Sequence, residues 1–462
     1  MHNSKKNATF AEILYLAPFM GHHGTLISYR MNKSFITVAF LAITLCVTAQ
    51  SGTNSPYSQY GFGTQAELAN GISRGMNGLG IGYRNGTQVN ILNPASYSVI
   101  DSLTFLFDAG MSAQITNFEE NGKKINANNA NFEYAVGGFR LMKHLGVSFG
   151  ILPFTNVGYS YSSTSKIDDI SATTFTNTYS GSGGLHQVFV GFGWELFKGL
   201  SIGVNGAYLW GKYEKSIVNS YSDTYVNTLS KYYTANITNY KVDFGVQTVL
   251  PLSKKNTLTI GATYGLQHKL GADPQCQIIS RNSQTSVSDT ATVVAKNGLE
   301  LPAMISAGLM FNFNNKLKIG ADYQLQQWSK VGFPDYKNDA TTNTPTYTIK
   351  KDYFDDRHKV TVGGEYCKNA NSRNFFDRIA FRMGASYATP YLNINGKDGP
   401  KEISVSAGLG IPIINVWNNR STLNISGQWV RMDASNLITE NTFRINVGIT
   451  FNERWFMKWK VD

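Results

Sequence analysis

From Ser102 to its last residues the chain alternates apolar and polar positions in segments of about ten. In one segment Leu258, Ile260, Ala262, Tyr264 and Leu266 are separated by Thr257, Thr259, Gly261, Thr263, Gly265 and Gln267. In another, Leu317, Ile319, Ala321, Tyr323 and Leu325 alternate with Lys318, Gly320, Asp322, Gln324 and Gln326. Successive side chains of a strand point to opposite faces, so each segment is predicted to be a strand with one apolar and one polar face. The same phase recurs in Ile202-Val204-Tyr208-Trp210, Val242-Phe244-Val246, Val360-Val362-Tyr366, Ile403-Val405-Ala407-Leu409, Leu423-Ile425-Trp429 and Ile445-Val447-Ile449-Phe451.

A water-soluble sandwich also alternates, so the connections must decide the class. Short turns are expected at Lys143, Lys198-Gly199, Ser253-Lys255, Asn314-Asn315, Ala370-Asn374 and Asn418-Asn419. Longer polar connections are expected near Asn117-Ala130, Ser163-Gly183, Lys212-Asn239, Gly271-Gly298, Lys330-Lys351, Pro390-Lys401 and Asp433-Glu440. Strict alternation of short and long links is the mark of an outer-membrane barrel with tight periplasmic turns and long outer loops. The reading is therefore an all-β, transmembrane antiparallel β-barrel of about 14 strands, closed because lipid leaves no backbone amide a partner outside the sheet. Trp210, Trp328, Trp417, Trp429, Trp455 and Trp459 fall near strand ends, where aromatic girdles are expected.

A barrel of that size is too wide for wall side chains to fill. The irregular, Gly-rich stretch Tyr57 to Asp101 precedes the first strand and is predicted to plug the lumen as a hatch. Gly75, Gly78, Gly80 and Gly82 would let its backbone turn tightly. The Asn93-Pro94-Ala95 turn would redirect the chain toward the wall at Ser102.

Upstream, Met31 opens a basic, then apolar, then small-residue pattern: Asn32-Lys33, Phe35 to Val47, and Thr48-Ala49-Gln50. This describes a secretory signal peptide cleaved near Ala49, too short to cross a bilayer as a helix. The expected organisation is residues 1–30 as an upstream extension absent from the mature protein, 31–49 as signal peptide, 50–101 as hatch and 102–462 as barrel. Cys46 follows Leu45, where lipoprotein processing wants a small residue, and it would leave with the signal. Cys276 and Cys367 remain, with no disulfide expected.

Of the formal charge of +11, Lys5, Lys6, Arg30 and Lys33 against Glu12 carry a net +3 in the part expected to be removed. Nucleic acid is not an expected partner of an exported chain. Outer-membrane lipid and lipopolysaccharide headgroups are the expected counter-charge. Aromatic residues at 13% against 15% charged fit a protein with a large amphipathic surface.

Candidate chemistry is sparse. Gly146-Val147-Ser148-Phe149-Gly150 and Gly199-Leu200-Ser201-Ile202-Gly203 match a nucleophile elbow, but both open barrel strands with no helix following, so they read as structural. His144, His186, His268 and His358 are the histidines of the mature chain; His358 after Asp355-Asp356-Arg357 reads as a solvated cluster at a strand mouth. No metal-ligand spacing is present. No cofactor, metal or enzymatic activity is expected.

Asn93-Pro94-Ala95, preceded by SRGMNGLGIG and followed by some fourteen strands, resembles the long-chain fatty acid transporter (FadL-type, TodX-like) family of outer-membrane proteins. NSPYSQYGFG (Asn54 to Gly63) and NPASYS are similar to the hatch of its Bacteroidota-type branch. The resemblance implies a 14-stranded barrel with a hatch and passage of hydrophobic molecules from the outer face, then sideways where the third strand kinks. The third predicted strand, Gly146 to Tyr161, carries Pro153, which removes a ladder hydrogen bond and by itself predicts a break there. The expected function is passive uptake of a hydrophobic, fatty-acid-like molecule. The alternative is an accessory barrel of an outer-membrane secretion or assembly complex, with a protein partner at the long loops.

Overall fold

A computed structural model describes residues 52–167, 173–338, 344–394, 396–414, 420–435 and 437–454. The expected upstream extension, the signal peptide, Trp417, the turn at Asn418-Asn419, Trp455 and Trp459 lie outside the described residues. In chain order the strands are β1 (Thr64–Gln65), β2 (Thr104–Glu120), β3 (Lys123–Met142), β4 (Leu145–Lys166), β5 (Thr174–Phe197), β6 (Leu200–Tyr221), β7 (Thr228–Pro251) and β8 (Asn256–Gly265). They continue with β9 (His268–Lys269), β10 (Gln275–Arg281), β11 (Ser288–Val294), β12 (Glu300–Leu301), β13 (Met304–Phe313), β14 (Leu317–Gln326), β15 (Phe333–Asn338) and β16 (Pro345–Lys350). The last are β17 (Arg357–Cys367), β18 (Ala380–Ala388), β19 (Asn393–Ile394), β20 (Lys397–Asp398), β21 (Lys401–Ile414), β22 (Arg420–Asp433) and β23 (Thr439–Arg454).

Fourteen of these, β2 to β8, β13, β14, β17, β18, β21, β22 and β23, pair antiparallel with their neighbours. β23 returns to β2 from Thr104↔Arg454 to Glu119↔Thr439, which closes the cylinder and removes both edges. The wall is apolar outside and polar inside: Val447 is 45% exposed, whereas Asn446 beside it is 4% exposed. Ile260, Leu309, Ile319, Val362 and Val405 share the exposed side, while Thr259, Asp322, Thr361, Ser404 and Ser406 are buried. Water would drive the opposite sorting, so the outer face is built for acyl chains.

Two expectations about the connections need correction. The polar stretches around Asn117-Ala130, Ser163-Gly183 and Lys212-Asn239 are mostly strand: β2 and β3 meet at the tight turn Asn121-Gly122, and β4 to β7 run 22 to 24 residues each. Spanning lipid takes about 9–11 residues, so roughly a dozen residues per strand continue beyond it as a rib. Ladder bonds need no apolar face, and cross-strand pairs such as Thr164–Thr176 (2.9 Å) and Ser180–Ser216 (2.7 Å) hold the polar portion in register. β10 extends the rib by pairing with Thr228–Thr234 of β7, above the part of β7 that pairs with β8. Trp328 is not in a girdle: it lies in the turn Trp328–Lys330 and is buried in an apolar cluster inside the wall.

Candidate functional site: the stoppered lumen

Residues 52–101 precede the wall and pack against its inward-facing side chains. At the short-turn end, Asn93 is extended and caps the turn Pro94–Val99 by accepting from the Ala95 amide at 3.1 Å. Pro94, first in the turn, lacks an amide that would have no partner there. The Asn93 Nδ2 donates to the Ile81 carbonyl at 3.0 Å and to the Val246 carbonyl of β7 at 3.1 Å, stitching turn to wall. The motif thus anchors the segment as well as turning it.

Its seat is a row of wall glycines. A Cβ at Gly193 would come 2.4 Å from the Pro94 carbonyl oxygen, at Gly203 2.3 Å from the Pro94 carbonyl carbon, and at Gly245 2.2 Å from Asn93 Oδ1. These glycines were not singled out from the sequence, although their inward phase in β5, β6 and β7 was a usable signal. Among the four predicted hatch glycines only Gly78 has a left-handed φ, +85°. Gly75, Gly80 and Gly82 serve close approach instead: a Cβ on Gly82 would meet Met310 N at 2.9 Å.

Ion pairs bind the segment higher up. Arg74, in the short helix Gly71–Gly75, is 1% exposed and donates to Glu133 Oε2 of β3 at 2.7 Å, to Asn446 Oδ1 of β23 at 3.2 Å and to the Ala69 and Glu67 carbonyls. Burial alone would lower the Arg74 pKa; the carboxylates of Glu133 and Glu67 overcome it and raise it. Asp322 Oδ2 of β14 accepts from the amides of Gly80 (2.7 Å) and Ile81 (2.9 Å). Asn77 donates to Ser386 Oγ and accepts from Ser404 Oγ, both at 2.7 Å. Tyr83 meets the pair Lys318–Glu365, itself joined to Arg382. The segment is therefore fixed to strands all round the wall.

Toward the outer loops the lumen turns apolar. Phe62 packs edge-on to Phe333 at 5.6 Å between centroids, Trp328 lies 5.1 Å from Phe354, and Phe154, Val157 and Tyr159 of β4 belong to the same buried cluster. This cluster meets a seam in the wall. β3 pairs with β4 only from Met142↔Leu145 to Ala135↔Ile151, although both strands continue outward. Just past the split comes Pro153, where β4 also shifts register against β5 between Pro153 and Thr155. The seam is occupied by the chain's own start: β1 pairs with Asn156 and Thr155 of β4, the Ala66 amide donates to the Phe154 carbonyl at 3.0 Å, and Asn131 of β3 donates to the Gly52 carbonyl at 2.9 Å. The Asn54 and Asn129 amides bond at 2.9 Å.

The other candidate residues are dispersed. Ser148 donates to the Gly137 carbonyl of the neighbouring strand at 2.9 Å, and Ser201 receives Arg84 Nη1 and Ser98 Oγ, both at 2.9 Å, so each ties structure together. His144 contacts Glu195 at 2.6 Å at an exposed turn, His268 stacks on Tyr240 at 4.4 Å, His186 lies against Trp210 and His358 meets the Tyr323 hydroxyl at 2.8 Å. Arg357 pairs with Glu402 at 3.0 Å. Cys276 and Cys367 are both free thiols. Among the described residues no group of three His, Cys, Asp or Glu could hold a metal ion.

The family described as BamG matches residues 31–462. Among solved structures, the chain is similar to the Pseudomonas putida toluene transporter TodX, with a TM-score of 0.57 and 14% identity over 85% of this chain and 100% of that one. The Ralstonia pickettii toluene transporter TbuX gives 0.56 and 15% identity over 83% and 98%. A Pseudomonas aeruginosa FadL homologue gives 0.55 and 12% identity over 84% and 99%. At these identities the likeness is one of fold: the barrel is of the FadL type. No curated protein matches the chain.

Proposed function

The chain belongs to the BamG family, and we propose that it is an outer-membrane barrel that takes up a hydrophobic small molecule at its outer face and releases it sideways through the β3–β4 seam. The observation that carries this reading is the course of the buried apolar cluster. It runs from Trp328, Phe333 and Phe354, beyond the wall strands on the outer side, to Phe154 and Val157 of β4, beside the place where β3 leaves β4. The rest of the segment is meanwhile fastened to the wall by Asn93, Arg74 and Asp322. An apolar solute would exchange water for this lining, a gain of about 0.8 kcal/mol per buried methylene. No residue reacts and no cofactor is needed. The similarly built TodX and TbuX transport toluene, which makes fatty-acid-like and monoaromatic molecules the first classes to try.

Passage requires residues 52–65 to leave the seam. Asn54→Cys with Asn129→Cys would latch it shut under oxidation. Uptake of a radiolabelled fatty acid or toluene by cells depending on this barrel should stop on oxidation and return on reduction. Unchanged uptake in the oxidised, fully crosslinked protein would defeat the lateral route.

A second reading, an accessory barrel in an outer-membrane secretion or assembly complex, is favoured by the rib. β4 to β7, with β10 and β11 added, carry a polar sheet well beyond the lipid, more wall than a conduit requires. Native mass spectrometry after gentle extraction separates the two. A stoichiometric protein complex that is lost on replacing residues 275–294 by a short linker would favour the subunit, and bound hydrophobic ligand on a lone barrel would favour uptake.

A further inference from the structure

The outside of the barrel carries a groove that the uptake path does not use. Three glycines in positive-φ conformations, Gly183 (+112°), Gly184 (+140°) and Gly211 (+151°), face one another across β5 and β6, where Gly184 pairs with Lys212 and Leu185 with Gly211. No side chain fits there: a Cβ on Gly183 would come 2.2 Å from the Lys212 carbonyl oxygen, and one on Gly211 2.2 Å from that of Gly184. The backbone leaves ordinary strand conformation at this line, just beyond the outward-facing apolar residues Ile202 and Tyr208 of β6.

Across this line lies an open hollow of about 550 Å³. Its lining is graded along the membrane normal. Val188 and Tyr208 pair at its membrane side, Trp210 and Thr238 pair at the next level, and Lys212 and Asn236 pair at the outermost. Tyr208 and Trp210 stack at 5.8 Å, and Tyr208 pairs across the strands with Tyr240, which stacks on His268. Lys212 bonds Glu214 at 2.9 Å, but both side chains are more than half exposed, and such a pair is readily exchanged for another anion.

We propose that this groove binds one molecule of the phosphorylated, multiply acylated glycolipid of the outer leaflet. An acyl chain lies on Val188 and Tyr208, the amino-sugar meets Trp210 and Thr238, and its phosphate meets Lys212 beside Asn236. Apolar, hydroxylic and cationic groups follow one another in the order in which such a lipid presents chain, sugar and phosphate. The hollow is continuous with the surface that faces lipid. A glycerophospholipid has the chain and the phosphate but no sugar for the middle of the groove.

The test is native mass spectrometry of the full mature chain titrated with bis-phosphorylated hexa-acyl lipid A, with its dephosphorylated form, and with phosphatidylglycerol. One lipid A should be retained in preference to the other two. Lys212→Gln should weaken that retention about fivefold, the effect of one interfacial cation worth ~1 kcal/mol. Trp210→Ala should weaken it too, while Lys212→Arg and the turn variant Lys254→Gln should not. Heat-modifiable migration of each variant on gels reports that the barrel is folded. Equal retention of phosphatidylglycerol, or lipid A retention indifferent to Lys212→Gln in a folded barrel, would overturn the proposal.

Discussion

Replacing Arg74 by Met tests whether the lumen segment is fastened by charge. Met fills much of the same volume but leaves Glu133 buried, 8% exposed, with Ser112 its one remaining donor among the described residues. Removing one partner of a buried pair costs about 3–5 kcal/mol, because the remaining charge is neither solvated nor paired. Arg74 also serves the Ala69 and Glu67 carbonyls and Asn446, so the upper end of that range is expected. The assay is hydrogen exchange in the folded, detergent-solubilised barrel. Amides of residues 70–80 should lose protection by about 10²–10⁴-fold, the same 3–5 kcal/mol expressed as an equilibrium constant, while the ladder of β13 and β14 stays protected. Arg74→Met combined with Glu133→Gln removes the stranded charge and should recover most of the protection. If the single variant leaves residues 70–80 protected, the ion pair does not hold the segment. If the double variant is as exposed as the single one, lost packing rather than unpaired charge is responsible.

Gly203→Val drives side-chain carbons into the Pro94 peptide, whereas Gly206, three residues on and facing outward, has nothing within 4 Å of an added Cβ; the first should cost about 1–3 kcal/mol or more by overpacking and the second almost nothing, read as the shift in heat-modifiable gel migration temperature. Cys276, outside the spanning region in β10, has its thiol pushed by burial up to about 11 against the pull of Lys231. At pH 8 its thiolate, and so its alkylation by iodoacetamide, should be about a hundredfold scarcer than for a thiol at the ordinary value of 9.0, rising to that of a free thiol on unfolding.

The faces of the wall were legible in the chain because they depend on a local rule. A period of two assigns Ile319 to lipid and Asp322 to the lumen whatever the partners of β14 turn out to be, and the even sequence of apolar segments leads to fourteen closed strands. Pro153 marked the place where the ladder fails, since the missing amide is a property of the residue itself. Local rules failed where side-chain chemistry is ambiguous about distance. Ser, Thr and Asn in the upper β4 to β7 read as loop because polarity says only that water is near, while a ladder can stand in water as well as in lipid. Trp328 read as a girdle residue because an aromatic at a strand end serves lipid and buried core equally. Only the tertiary fold brought Asn93 to the Val246 carbonyl, Arg74 to Glu133, and the glycines of β5, β6 and β7 beneath Pro94. Each of these contacts joins residues far apart in the chain, and their geometry exists only once the sheet has closed around the segment it holds.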